Sequence, residues 1–196
     1  QVWVGSGKPN GEEEIRVVDP QTCQDLGEDR VGEIWLRGPH IAQGYWRREA
    51  ETLASFGAKL NDGSPERWLR SGDLGFLHQG EIFVTGRIKD LIIIRGRNLY
   101  PQDLERQIEA LRADFPSIRP GCAVAVALTG AEPEQLALLL EVTLPFEAGE
   151  TLCEALVTEI EAAFEIAPRQ ILLLPPGALP KTSSGKLMRQ ACRQAL

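Results

Sequence analysis

The chain has 196 residues, enough for one ordinary domain or two small ones. Apolar residues make up 43% and charged residues 25%, the balance of a soluble globular protein that can bury a core. A formal net charge of −7 and a pI near 5.0 set nucleic acid aside as a partner, because an acidic surface repels a polyphosphate backbone.

Gln1-Val2-Trp3-Val4 opens the chain on strand-like residues, with no Met and no polar lead-in, as in a chain cut from something larger. Gly5-Ser6-Gly7-Lys8-Pro9 lacks the spacing of a dinucleotide loop, and Pro9 stands where a P-loop needs a hydroxyl, so it reads as a glycine turn. Glu14-Ile15-Arg16-Val17-Val18 alternates polar and apolar residues as a strand does, and stops at the turn pair Asp19-Pro20. Val31 to Leu36 repeats the pattern and stops at Gly38-Pro39. Arg47 to Phe56 fits a short helix, and Glu66 to Leu69 leads into a turn at Ser71-Gly72-Asp73. Glu81 to Thr85 is a third strand, entered through His78-Gln79-Gly80. Strands at this spacing predict a small barrel or sheet.

The second half changes character. Asp90 to Ile94 is a short apolar run that reads as a strand followed by a turn at Gly96. Pro101 opens a helix, where its missing N–H costs nothing, and Leu104, Ile108 and Leu111 share one face of it. Ala123 to Leu128 and Leu136 to Val142 read as strands. Thr151 to Phe164 is a second helix, apolar at Leu152, Leu156, Ile160 and Phe164. Gln170 to Leu174 is a last strand, closed by Pro175-Pro176-Gly177. The expected fold class is α+β: a β-rich unit over residues 1–88, a hinge at 89–90, and a small α+β domain over 91–196. So short a connection lets two bodies pivot about one or two residues.

Cys23, Cys122, Cys153 and Cys192 form no C-x-x-C pair, which excludes a zinc signature or a disulfide framework and fits a reducing compartment. With His40 and His78 as the only histidines, a histidine-built metal site or catalytic triad is not expected. No stretch reaches the ~18 apolar residues of a membrane span, and no secretory segment is evident, so a cytoplasmic protein is expected.

The stretch Thr182-Ser183-Ser184-Gly185-Lys186 looks made to meet phosphate. A Walker loop needs G-x-x-x-x-G-K followed by Ser or Thr. Here Gly177 precedes Gly185 by eight positions and Leu187 follows Lys186, so that reading fails. Lys186 is then a mobile point charge able to bridge two reacting anions, or a solvated lysine before a last helix. Asp73, beside a glycine, can accept two hydrogen bonds from a ribose diol, or is a turn aspartate. Arg87 can clamp ribose or phosphate, or forms a surface ion pair with Asp73 or Asp90.

Four stretches in order carry more than any one of them: "GEIWLRGPHIAQGYW", "LRSGDLGFL", "GEIFVTGRIKDLIIIRGRNLYPQDLE" and "LPKTSSGKLMR". Together they resemble the adenylate-forming superfamily of acyl-CoA synthetases, luciferases and peptide-synthetase adenylation domains. Within it, "TGRIKDLIIIRGRNLYPQDLE" is most similar to the fatty acyl-AMP ligases. Those enzymes activate a fatty acid with ATP and hand the acyl group to an acyl carrier protein rather than to free coenzyme A. The resemblance implies that Asp73 binds both ribose hydroxyls of the adenylate and that Arg87 contacts the ribose and phosphate region. It makes Lys89 the hinge residue, and Lys186 the lysine that bridges carboxylate, α-phosphate and ribose. Gly96 would lie on the face that approaches the adenylate in the thioester-forming orientation. Asn98 departs from members that carry a basic residue there.

The resemblance also implies ATP as substrate, with Mg2+ held in the parent enzyme by ligands that are not in this chain. Residues 1–88 would be the last subdomain of a large N-terminal adenylation domain, whose phosphate-gripping loop, adenine pocket and acyl tunnel are missing here. The 196 residues alone are therefore expected to be inactive. The alternatives are a fragment of an acyl-CoA synthetase, or a non-catalytic module that docks a carrier protein. Retention of Asp73, Arg87 and Lys186 together argues against the module.

Overall fold

A computed structural model describes residues 3–128, 134–143 and 149–196. Gln1 and Val2, at the strand-like opening, lie outside the described residues. The chain divides into two units, Gln1–Lys89 and Asp90–Leu196.

The first unit is built on an antiparallel sheet in the order β1-β2-β3-β4, with β1 at Glu14–Val18, β2 at Gly32–Arg37, β3 at Leu69–His78 and β4 at Glu81–Arg87. It is a sheet and not a barrel, since β1 and β4 stand at opposite ends of that order. Neighbouring side chains on a strand face opposite sides, and both sides carry core here. Val17, Ile34 and Ile82 make one cluster, with Ile15 and Leu77 against it. Val18 and Trp35 make another with Leu60 and Trp68. Burying each indole is worth roughly 4–6 kcal/mol before conformational entropy is counted. The helix α1 (Glu49–Phe56) starts two residues later than expected, because Arg47 holds a positive φ of 54° and cannot be helical.

β3 corrects the expected turn. Ser71-Gly72-Asp73 lies inside a ten-residue strand. The register jumps there: Leu74 faces Glu33 and Arg70 faces Trp35, leaving Ser71 to Asp73 opposite Ile34. Gly72 takes a φ of +73°, so the strand bulges where only a residue without Cβ is at ease. A turn-like backbone was legible; its place within a strand was not.

The second unit opens with a hairpin, β5 (Ile92–Ile94) and β6 (Arg97–Leu99), turned by Arg95 and Gly96. Asp90 belongs to the preceding 3-10 turn, Ile88–Asp90, so the strand begins two residues later than expected. α2 (Pro101–Ala110) follows, with Leu104 and Ile108 fully buried. Leu111 falls in the next 3-10 turn but still packs on the same cluster. A three-stranded sheet has the order β7 (Ile118–Ala127), β8 (Leu136–Val142), β9 (Gln170–Leu174). β8 and β9 run parallel, with α3 (Gly149–Phe164) between them in the chain, as a parallel pair requires.

Both faces of this sheet are covered, which is why all of β8 is buried. Ala123, Ala125, Leu138 and Leu140 meet Leu104 and Ile108 of α2 and Leu152, Leu156 and Ile160 of α3. Cys122, Val124, Ala137 and Leu139 meet Leu179, Leu187 and Cys192, the last from α4 (Arg189–Gln194). The segment around Lys186 is therefore fastened to the opposite face of the sheet from α2 and α3.

Candidate active site

Asp73 and Arg87 are paired by register across β3 and β4, and Arg87 Nε donates to Asp73 Oδ1 at 2.9 Å. Of the two ion pairs open to Arg87, the structure forms the one with Asp73. The carboxylate is about one-third exposed and the guanidinium about half. An open carboxylate can accept from a diol, and the planar guanidinium beside it can donate to phosphate oxygens.

The bulge that presents Asp73 has a support the sequence did not announce. Glu33 is buried, and its Oε1 accepts the Gly72 N–H at 3.2 Å. Its Oε2 accepts the Trp35 indole N–H at 2.9 Å and Arg70 Nε at 2.9 Å. Ser71 Oγ donates to Ile34 O at 2.7 Å and receives the Asp73 N–H at 3.0 Å. The backbone on both sides of Asp73 is thus satisfied from within the sheet, leaving the carboxylate to face outward.

Lys186 is expected as a mobile point charge, and the structure sets it on a closed hairpin. Lys181 and Leu187 pair as an antiparallel bridge. Thr182 N–H donates to Lys186 O at 2.8 Å, and Gly185 N–H to Thr182 O at 2.9 Å. The Lys186 N–H donates to Thr182 Oγ1 at 3.1 Å. Gly185 makes the reversal with a φ of +82°. The Lys186 side chain is exposed.

Buried charge holds this hairpin at its entry. Glu141, on β8, is fully buried and accepts the Leu179 N–H at 2.9 Å and Arg119 Nη1 at 2.5 Å. Burial pushes the Glu141 carboxyl up. The Gly177 and Leu179 N–H groups, the Cys122 thiol and Arg119 overcome that and hold it at about 2. Lys181 Nζ donates to Cys122 Sγ at 3.1 Å, a second tie. Past the hairpin, Arg189 forks onto Glu105 of α2 through Nε at 3.0 Å and Nη2 at 2.5 Å. Glu105 Oε1 also accepts the Ala125 N–H at 3.2 Å on the edge strand β7. Burial raises the Glu105 carboxyl against the opposing pull of Arg189.

The structure thus brings Asp73 and Arg87 together. Lys89 is exposed and ends the first unit; Gly96 and Lys186 belong to the second. Sequence reasoning missed Glu33, Glu105, Glu141 and Arg189. Glu141 had a signal, as the lone charge in Leu136-Ala137-Leu138-Leu139-Leu140-Glu141-Val142. Among the described residues no group of three or more His, Cys, Asp or Glu side chains is placed to hold a metal ion. No helix among them is long and apolar enough to cross a membrane.

Known proteins are similar to this chain over nearly its whole length. Residues 3–46 match the family described as AMP-binding enzyme. The medium-chain-fatty-acid–(acyl-carrier-protein) ligase JamA of Moorena producens is 42% identical over 195 residues, covering 97% of this chain and 32% of that ligase. The chain belongs to the AMP-binding, adenylate-forming family. The long-chain-fatty-acid–AMP ligase FadD26 of Mycobacterium marinum is 36% identical over 202 residues, covering 96% of this chain and 32% of FadD26. A structure from work on fatty acyl-adenylate ligases of E. coli and L. pneumophila superposes with a TM-score of 0.81 at 34% identity, over 98% of this chain and 32% of its own. The chain spans about a third of the length of the curated relatives it matches.

Proposed function

We propose that this chain is the C-terminal part of a fatty acyl-AMP ligase. The parent enzyme activates a fatty acid with ATP to an acyl-adenylate, releases pyrophosphate, and passes the acyl group to the phosphopantetheine of an acyl carrier protein. The observation that carries the reading is the match of nearly the whole chain to a fatty-acid ligase named for its carrier-protein acceptor. An open Asp73–Arg87 pair and an exposed lysine on a braced hairpin support it.

In this reading Asp73 accepts from the ribose hydroxyls and Arg87 lies along the ribose and phosphate. Attack of a carboxylate on the α-phosphate brings two anions together, and Lys186 offsets that charge as the transition state forms. Residues 1–88 close the large adenylation domain, residues 89–90 are the hinge with Lys89 at its centre, and residues 91–196 are the mobile domain. Turning about Lys89 withdraws Lys186 and brings the face of Gly96 to the adenylate for transfer. Mg2+ is held by the parent's preceding domain. A cytoplasmic setting suits four cysteines that all stay free.

The test uses the full-length enzyme. Lys186→Ala lowers pyrophosphate release from fatty acid and ATP by roughly 10²–10³-fold, the usual cost of losing one transition-state donor. Transfer from preformed acyl-adenylate to the carrier protein stays near the parent rate. Equal loss in both half-reactions refutes the role of Lys186. Free coenzyme A working as well as the carrier protein refutes the acceptor.

A further inference from the structure

Arg189 joins places that are far apart in the chain. It stands three residues after Lys186 and faces two carboxylates. Its Nε and Nη2 fork onto Glu105, and its Nη1 lies 3.8 Å from Asp90 Oδ2. Asp90 is the first residue of the second unit, directly after Lys89. All three side chains are mostly buried, at 21%, 14% and 11% exposure for Arg189, Glu105 and Asp90.

Three charges in so dry a place are a poor choice for stability alone. Desolvation consumes most of what such pairs gain, and apolar residues of like volume hold as well or better. What the arrangement provides is direction. A planar guanidinium with fixed donors fixes the place of Glu105, which an apolar contact does not, and its charge holds Asp90 beside it. Glu105 is itself fixed, since it also accepts the Ala125 N–H of the edge strand.

We propose that Arg189 is a positioning residue which, through Asp90 and Glu105, ties the exit of the Lys186 hairpin to the residue that follows Lys89, so that a turn about Lys89 carries Lys186 with it as one body. The meaning given to Lys89 and Lys186 rests on the proposed function. The tie from Asp90 through Arg189 to the hairpin does not. A purely stabilising salt bridge would affect the whole unit and both half-reactions alike.

Two measurements decide it. The first uses the 196-residue chain and Asp90→Asn, which keeps the side-chain shape and leaves the Glu105–Arg189 fork in place. Hydrogen exchange followed by NMR should quicken about tenfold at the Thr182, Gly185 and Lys186 amides, while Leu138 and Leu140 in β8 stay as they were. Unchanged hairpin amides, or equal quickening in β8, overturns the proposal.

The second uses the full-length enzyme with Arg189→Lys, which keeps the charge but loses the fork. Misplacing Lys186 should slow pyrophosphate release about tenfold with KM for ATP unchanged. Transfer from preformed acyl-adenylate should stay within about twofold. Combining Arg189→Lys with Asp90→Asn should cost little more than the worse single change, because both cut one tie. Equal slowing of both half-reactions, or fully additive losses, overturns it. If the unaltered enzyme releases no pyrophosphate with any fatty acid, the proposed function fails, and hydrogen exchange alone decides the tie.

Discussion

Replacing Glu141 by Gln tests whether one buried carboxylate holds the entry to the lysine hairpin. The folded protein keeps this group ionised down to about pH 2, against an ordinary value of 4.5. That gap, at roughly 1.36 kcal/mol per pH unit, comes to about 3 kcal/mol. Arg119 is 40% exposed, so part of its field is screened and about 2 kcal/mol is the figure to expect. The folded value is depressed, so the contribution is complete above about pH 4.5 and disappears as pH falls from there through about 2. Gln keeps the size but presents one oxygen where two accepted, and leaves Arg119 without its counter-charge.

Urea unfolding of both proteins between pH 7 and pH 3 measures the difference directly. Every other carboxylate titrates alike in the two and cancels. The difference should be about 2 kcal/mol at neutral pH, and more than half of its pH-dependent part should be gone near pH 3. A difference that stays constant over this range, or widens in acid, refutes the assignment of charge to Glu141.

Two further changes separate support from chemistry. Glu33→Ala strands the Trp35 indole N–H, Arg70 and the Gly72 amide together, and should cost about 3 kcal/mol or more in thermal or urea unfolding of the chain. Asp73→Asn removes half of an exposed pair, so stability should move by no more than about 1 kcal/mol. Adenylate affinity of the full-length enzyme, measured by calorimetry, should fall sharply in that same variant.

Periodicity made most of the fold legible. Glu14 to Val18, Leu136 to Val142 and Gln170 to Leu174 form strands with the bounds their apolar patterns imply. Pro101 starts a helix because its ring suits a first turn. Leu69 to His78 escaped because Gly72 breaks the two-residue alternation, and a bulge of that kind reads locally as a turn. At the candidate site, glycine-flanked Asp73, Arg87 and Lys186 were visible as motif residues. Their supports were not, because each works at long range in the chain: Glu33 on Gly72, Glu105 on Arg189, Glu141 on Leu179. Glu141 stood out only as a lone charge in an apolar strand, and neither it, Glu33 nor Arg189 carries a local sign of partners tens of residues away.

The closed hairpin bears on how the lysine could be withdrawn. Local opening would break the Thr182, Gly185, Lys186 and Met188 N–H bonds and release Leu179 from Glu141. At about 1 kcal/mol each, and more for bonds to a charged group, that is a large cost at every turnover. Rotation about Lys89 disturbs none of these bonds, since all of them lie within the second unit. It changes only a few backbone dihedrals around the exposed Lys89. Keeping the hairpin formed also means that its backbone is ordered once, on folding, and only the Lys186 side chain is ordered when it meets its anions. A braced hairpin therefore favours movement of the lysine by its whole domain, which is the role the proposed cycle gives to Lys89.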